Sequence, residues 1–130
     1  MTTSEHYPSD LLFFFDSRPV ELSLYQALFE RMESAFPGAS VKVQKSQISF
    51  YNRHLFAAVS LPARRRKGWP STCIGVTIGL SHRLSSPRVV VAVEPYPNRW
   101  THHVLVSQER QIDDELLEWL REAYDFALLK

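Results

Sequence analysis

Two segments with the spacing of amphipathic helices enclose a long stretch of short alternating segments, and this order constrains the fold more than any other feature. Apolar residues recur every three or four positions over 20–36, which Pro37 and Gly38 end, and again over 112–128. The stretch between them is broken by short turns, which join antiparallel strands because a parallel crossover needs a dozen or more residues. We therefore expect an α+β fold, an antiparallel sheet of about five strands with an N-terminal and a C-terminal helix packed on one face.

Segment 72–80 shows the alternation of a strand most clearly. One side is apolar (Ile74, Val76, Ile78 and Leu80), and the other is small or polar (Cys73, Gly75, Thr77 and Gly79). Small residues inside a strand indicate close approach by a ligand or by another part of the backbone, although packing against a helix is an alternative explanation. Lys45 and Gln47 flank a neighbouring predicted strand and are expected to project onto the same face as Thr77.

The N-terminal ends of the two predicted helices carry residues that are typical of helix starts. Ser17 and Pro19 offer a capping hydroxyl and a proline in the first turn, while Asp113 offers a capping carboxylate. With 130 residues the chain is predicted to form a single domain, 1–130, in which 1–9 is a loose N-terminal arm. Segment 10–15 is predicted to be either a short helix or an extended anchor.

The composition is typical of a globular domain in water. Hydrophobic residues make up 45% of the chain and charged residues 22%. The early apolar run 11–15 is too short to cross a bilayer, and no secretory signal is recognisable, so we expect a cytoplasmic protein with no membrane contact. Cys73 is the single cysteine, which excludes an internal disulfide and a cysteine-based zinc cluster. We expect neither a metal nor a cofactor.

The charges are segregated along the chain. Segment 53–103 holds eight Lys or Arg residues and one acid, whereas 109–130 holds seven acids and three bases. Such asymmetry indicates that one part of the molecule prefers anions. The most basic run is a candidate nucleic-acid or anion site, in which cations neutralise phosphates and an indole stacks on a base: Arg64, Arg65, Arg66, Lys67 and Trp69. A protein interface or a solvated loop explains the same residues.

A second candidate site lies at Arg99, Trp100, Thr101 and His102, directly after a proline-rich turn and before a predicted strand. The arginine, the indole N–H and one imidazole would orient an anion there, with Lys45 and Gln47 as further candidate ligand contacts. Since neighbouring strand residues point to opposite faces, His102 and the next histidine are poorly placed to share one metal. The alternative is a structural His102 that bonds a neighbouring carbonyl.

Four fragments follow one another along the chain: Lys45–Phe50, Phe56–Val59, Arg99–His103, and the pair Ile112–Leu116 with Leu120–Tyr124. In this order they resemble the family called domain of unknown function 5655. The resemblance extends over about 11–124 and implies a single α+β domain. The family has no established activity, so the resemblance implies no chemistry.

No motif for covalent catalysis or phosphate cradling occurs in the chain. We therefore expect a non-catalytic binding module for an anionic ligand, a nucleic acid or a protein partner. The alternative is an enzyme of unknown class with its site around Arg99, Thr101 and His102, which requires these side chains to converge in a pocket. The sequence leaves the oligomeric state open.

Overall fold

The computed structural model describes residues 1–62 and 66–130. Within this part of the chain, three α-helices, six strands and one 3-10 turn follow one another in the order helix, helix, six strands, helix. They are α1 (Tyr7–Phe14), α2 (Pro19–Ala35), β1 (Ser40–Val43), β2 (Ile48–Asn52), β3 (His54–Ser60), β4 (Ile74–Leu80), β5 (Val89–Tyr96), β6 (Arg99–Val106), the 3-10 turn Glu109–Gln111 and α3 (Asp114–Ala127).

The strands form one six-stranded sheet in the order β1-β2-β3-β4-β6-β5. Every neighbouring pair is antiparallel, as the short turns predict. The α+β class and the antiparallel sheet are confirmed, with six strands rather than about five. The hairpin of β5 and β6 folds so that β6 pairs with β4, which leaves β5 at one edge of the sheet.

Helices α2 and α3 pack on the same face of the sheet, as predicted. The ring of Tyr25 in α2 lies 5.5–6.5 Å from the rings of Phe15 and Phe50, and Phe36 stacks on Tyr124 of α3 at 4.9 Å. The apolar stripes of the two helices and the apolar side of 72–80 predict six core residues, and five of these are buried, namely Leu28, Ile74, Val76, Leu116 and Leu120. Phe29 is only half-buried, because it lies at the edge of the helix interface beside Tyr7.

The two predicted helix starts have different outcomes. Asp113 caps α3, since its carboxylate accepts a hydrogen bond from the Leu116 backbone N–H at 3.0 Å. Ser17 does not cap α2: it has a φ of 60°, in the left-handed region, and α2 begins after Arg18 without a side-chain cap. Pro19 does occupy the first turn, as its fixed φ allows.

The first residues, predicted to form a loose arm, contact the sheet and lead into a helix. Thr2 forms a parallel bridge with Ser40 at the edge of β1, and α1 already begins at Tyr7. The Tyr7 hydroxyl lies 2.6 Å from that of Tyr25, which ties α1 to α2. None of the helices in the described residues is long and apolar enough to cross a membrane.

Arg88 joins the end of the loop before β5 to the start of α3. Its guanidinium donates to both carboxylate oxygens of Asp113 at 2.9 and 3.1 Å, to Glu115 at 3.0 Å and to the Gln111 carbonyl at 2.6 Å. Its other side faces the ring of Trp119, 5.5 Å away. One of the basic charges of the middle segment is therefore neutralised within the fold by the acidic first turn of α3.

Candidate functional site

The sheet face opposite α2 and α3, here called the back face, carries small and polar side chains. One row crosses four neighbouring strands because the register pairs Ser49 with Ala58, Ala58 with Thr77, and Thr77 with His103. Gly75 lies on the same face of β4, and the Ser60 side chain covers it: a Cβ on Gly75 would be 3.3 Å from the Ser60 hydroxyl. The missing side chain at Gly75 therefore makes room for the backbone and side chain of Ser60.

Thr77 and His103 form a hydrogen-bonded pair in the middle of the back face. Thr77 Oγ1 lies 3.0 Å from His103 Nδ1, and the imidazole tautomer decides which of the two donates. Both side chains are half-buried. Burial lowers the pKa of His103 below its usual value, because the charged imidazolium is poorly solvated there. The pair therefore presents neutral hydrogen-bonding groups at neutral pH.

Beyond Thr77 along β4, a hollow opens on the back face over Gly79. It has a volume of about 150 Å³, and its walls include Ala58, Thr77, Thr101 and Lys130. A Cβ on Gly79 would lie 3.4 Å from Lys130 Nζ. The missing side chain at position 79 therefore leaves the space in which the lysine approaches the sheet.

A second hollow, of about 170 Å³, shares Gly79, Thr101 and Lys130 with the first and adds Arg99 and Phe126 to its walls. Burial, and secondly the charge of Arg99, lower the pKa of Lys130. Its Nζ donates to the Leu55 carbonyl at 2.8 Å and lies 5.5 Å from the centre of the Phe126 ring. Within residues 1–62 and 66–130, neither Arg99 nor Lys130 forms an ion pair.

Strand β6 begins at Arg99, four residues before the strand that the sequence predicts over 103–107. Asn98 has a φ of 61°, which allows a tight turn, so that Arg99 already pairs with Tyr96. The candidate residues 99–102 consequently lie within a strand and alternate between its faces. Arg99 and Thr101 are on the back face, and Trp100 and His102 are on the helix face.

His102 is fully buried among the elements on the helix face. Its Nε2 accepts a hydrogen bond from the Leu84 backbone N–H at 2.9 Å, and its Nδ1 donates to the Ile78 carbonyl at 3.3 Å. Since both ring nitrogens are used, the imidazole has no group left for a ligand. Trp100 is half-buried, and its ring faces the Arg83 guanidinium at 5.7 Å. The geometry thus places His102 in the core, whereas Trp100 also lines the second hollow, together with Arg99 and Thr101.

Gln47 and Lys45 lie far apart from Arg99 in the sheet, with β3 and β4 between β2 and β6. Gln47 donates to the Ser49 hydroxyl at 2.8 Å, at the β2 end of the polar row that contains Thr77. Lys45 is exposed in the turn between β1 and β2 and lines a different hollow, beside Phe13 of α1. The structure therefore does not bring the six candidate ligand residues together.

The basic run of the middle segment is only partly described. Arg64 and Arg65 lie outside the described residues. Arg66 and Lys67 are exposed, and the Arg66 guanidinium lies 5.6 Å from the centre of the half-buried Trp69 ring. Within the described residues no group of three or more His, Cys, Asp or Glu side chains is placed to hold a metal ion.

Sequence reasoning missed two parts of this site. Lys130 lies close to Gly79 because α3, which ends just before it, packs against the sheet. No pattern in the sequence around Lys130 indicates this contact. The pairing of Thr77 with His103 depends on β6 lying next to β4, which the chain order does not reveal. The alternation of small residues around Thr77 was the one available signal for the back face.

A family model described as Domain of unknown function (DUF5655) matches residues 13–127. The chain belongs to this family. The matched segment of the DUF5655 domain contains Arg99, Thr101, Thr77 and His103, whereas Lys130 lies beyond it. No curated protein and no solved structure matches the chain. The description of the DUF5655 family names no activity.

Proposed function

We propose that the protein is a non-catalytic binding module whose ligand is a small anion held between Arg99 and Lys130 on the back face. The observation that carries this proposal is that Arg99 and Lys130 line one hollow. Neither of the two cations forms an ion pair within the described residues. An anion between them would relieve their mutual repulsion and accept charge-assisted hydrogen bonds from both.

The other groups around the two cations suit a bound anion. Thr101 contributes a hydroxyl to both hollows. Lys130 Nζ has three N–H donors and uses one of them on the Leu55 carbonyl, which leaves donors for a ligand. Phe126 supplies an apolar wall, and partial exclusion of water strengthens the attraction between the cations and an anion.

The alternative, an enzyme around Arg99, Thr101 and His102, has less support. It requires the three side chains to converge, but His102 lies on the opposite face of the sheet and spends both nitrogens on backbone groups. A nucleic-acid or protein partner at the basic run 64–67 is supported by the exposure of Arg66 and Lys67. We favour the small anion because its site combines converging cations with a hollow.

Titration with inorganic phosphate by isothermal calorimetry tests the proposal. We expect saturable binding that weakens as the salt concentration rises, because exposed charges are screened. Arg99→Ala and Lys130→Met should each reduce the affinity about tenfold, the equivalent of one charge-assisted hydrogen bond of about 1.4 kcal/mol. The matched control is Arg66→Ala, which removes a charge elsewhere and should leave the affinity unchanged. Equal affinity in all four proteins would overturn the proposal.

A further inference from the structure

We infer that the ligand of the back face is a phosphate or carboxylate joined to one flat ring whose far side carries a neutral hydroxyl, and that Thr77, paired with His103, recognises this hydroxyl. The inference rests on the proposed anion site and adds the chemistry of the rest of the ligand. It starts from the hollow over Gly79, because that hollow connects the cationic end of the site to the Thr77–His103 pair.

The dimensions of the hollow set the size of the ligand. Thr77 and Gly79 are two residues apart on one strand and on the same face, a separation of about 7 Å. A volume of about 150 Å³ between Thr77 and Lys130 accommodates one aromatic ring. Lys130 Nζ lies over Gly79, and beside it Phe56, Ala57 and Ala58 of β3 line the hollow. These residues offer an apolar surface, on which a flat ring makes better contact than a branched chain.

The hydrogen bond between Thr77 and His103 leaves acceptor capacity on the threonine oxygen. A hydroxyl has one donor hydrogen and two lone pairs. If Thr77 donates to His103 Nδ1, both lone pairs remain; if His103 donates, one lone pair and the hydroxyl hydrogen remain. In either arrangement Thr77 Oγ1 has a lone pair for a hydroxyl group of the ligand.

The surroundings of Thr77 favour a neutral group over a second charge. Its neighbours in the row are Ala58 on β3 and His103 on β6, and Val91 of β5 lies beyond the histidine. Burial holds the pKa of His103 down, so the imidazole is uncharged at neutral pH. A second anionic group there would lose its water without gaining a cation, which is costly.

Three probes test the inference: inorganic phosphate, phenyl phosphate and 4-hydroxyphenyl phosphate. The last two differ by a single hydroxyl, placed on the ring opposite the phosphate. We expect the hydroxylated probe to bind the wild type about two- to tenfold more tightly than phenyl phosphate, the gain of one net hydrogen bond. Thr77→Val should abolish this preference and leave the affinity for phenyl phosphate unchanged.

Two further variants serve as controls. Thr77→Ser keeps the hydroxyl and should keep the preference, so a loss that occurs only in Thr77→Val reports the hydrogen bond rather than a folding defect. Thr72→Val removes a half-buried threonine hydroxyl outside the hollow and should change nothing. Equal binding of the two aryl phosphates to the wild type, or a preference that survives in Thr77→Val, would overturn the inference while phosphate binding stands. If none of the three probes binds, the anion site itself is wrong.

Discussion

Thr77 Oγ1 lies 3.0 Å from His103 Nδ1, which joins β4 to β6 on the face of the sheet that the helices α2 and α3 do not cover. The preceding residue, His102, points to the opposite face and is bonded to the backbone at Leu84 and Ile78. Two consecutive histidines thus have different surroundings, because neighbouring side chains on a strand alternate between its faces. We expect them to respond differently to substitution.

His102→Ala should destabilise the protein at neutral pH. The variant leaves the Leu84 backbone N–H without its acceptor and opens a gap on the helix face, at an expected cost of about 1–3 kcal/mol in the free energy of unfolding. Urea denaturation at pH 7 measures this cost. His103→Ala should cost less, since His103 is half-buried and its partner Thr77 remains accessible to water.

The cost of His102→Ala should also depend on pH. Burial lowers the pKa of His102 below its ordinary value of 6.5, so near and below pH 6.5 the unfolded chain binds the proton more readily than the folded protein does. The contribution of the neutral imidazole is therefore complete above about pH 6.5 and declines as the pH falls. We expect the difference between wild type and variant to narrow between pH 7 and pH 5. A difference that stays constant, as expected for Leu116→Ala, would contradict this assignment.

Leu116→Ala should open a cavity in the core under α3. Leu116 is fully buried, and substitutions of this kind cost roughly 2–5 kcal/mol because the surrounding side chains close the space only in part. Leu129→Ala is the matched control, since Leu129 is 80% exposed and should change the free energy of unfolding by less than about 0.5 kcal/mol. Equal effects of the two variants would contradict the packing described above.

Arg88→Ala should loosen the start of α3. The variant loses hydrogen bonds to Asp113, Glu115 and the Gln111 carbonyl, and we expect a loss of about 1–3 kcal/mol for these charge-assisted contacts at a partly exposed site. Arg110→Ala is a suitable control, because Arg110 is exposed and, among the described residues, its side chain bonds only to Gln108. Urea denaturation measures the free energy of unfolding of both variants. Equal values would show that the contacts of Arg88 make no net contribution to stability.

The contact between Arg88 and Asp113 also predicts that the stability of the protein falls at acidic pH. Burial by itself raises the pKa of Asp113, but hydrogen bonds from Arg88 and from the Leu116 backbone N–H outweigh it and hold the pKa below its ordinary value of 3.8. The stability contributed by this carboxylate is therefore present above about pH 3.8 and is lost as the pH falls through the lower folded-state value. Asp113→Asn should reduce the loss of stability that the wild type shows in this acidic range.

The regular elements were predictable because their signals are local. The spacing of Leu24, Leu28 and Met32 marks a helix with one buried face, and the alternation in 72–80 marks a strand. The start of β6 was not predictable in this way, since it depends on the left-handed backbone of Asn98 within a proline-rich run. The cap at Ser17 failed for a similar reason: the chain turns through a left-handed conformation there instead of entering the helix.

The candidate site was less predictable than the fold because its parts are distant in the sequence. Arg99 and Thr101 were predicted because functional side chains cluster at 99–102. Thr77 was noticed because its neighbours on β4 are small. Lys130 comes to the same hollow from the end of α3, and only tertiary packing places it there. His102 was predicted to orient an anion with Arg99 and the Trp100 indole N–H, but the alternation of the strand points its side chain into the core.

Backbone amide chemical shifts, followed during a titration with inorganic phosphate, report directly whether an anion binds between Arg99 and Lys130. We expect the largest saturable changes at Gly79, Thr101 and Lys130, which line both hollows, and we expect these changes to disappear in the double variant Arg99→Ala with Lys130→Met. Changes that are largest in the basic run around Arg66 to Trp69, or that survive in the double variant, would contradict this expectation.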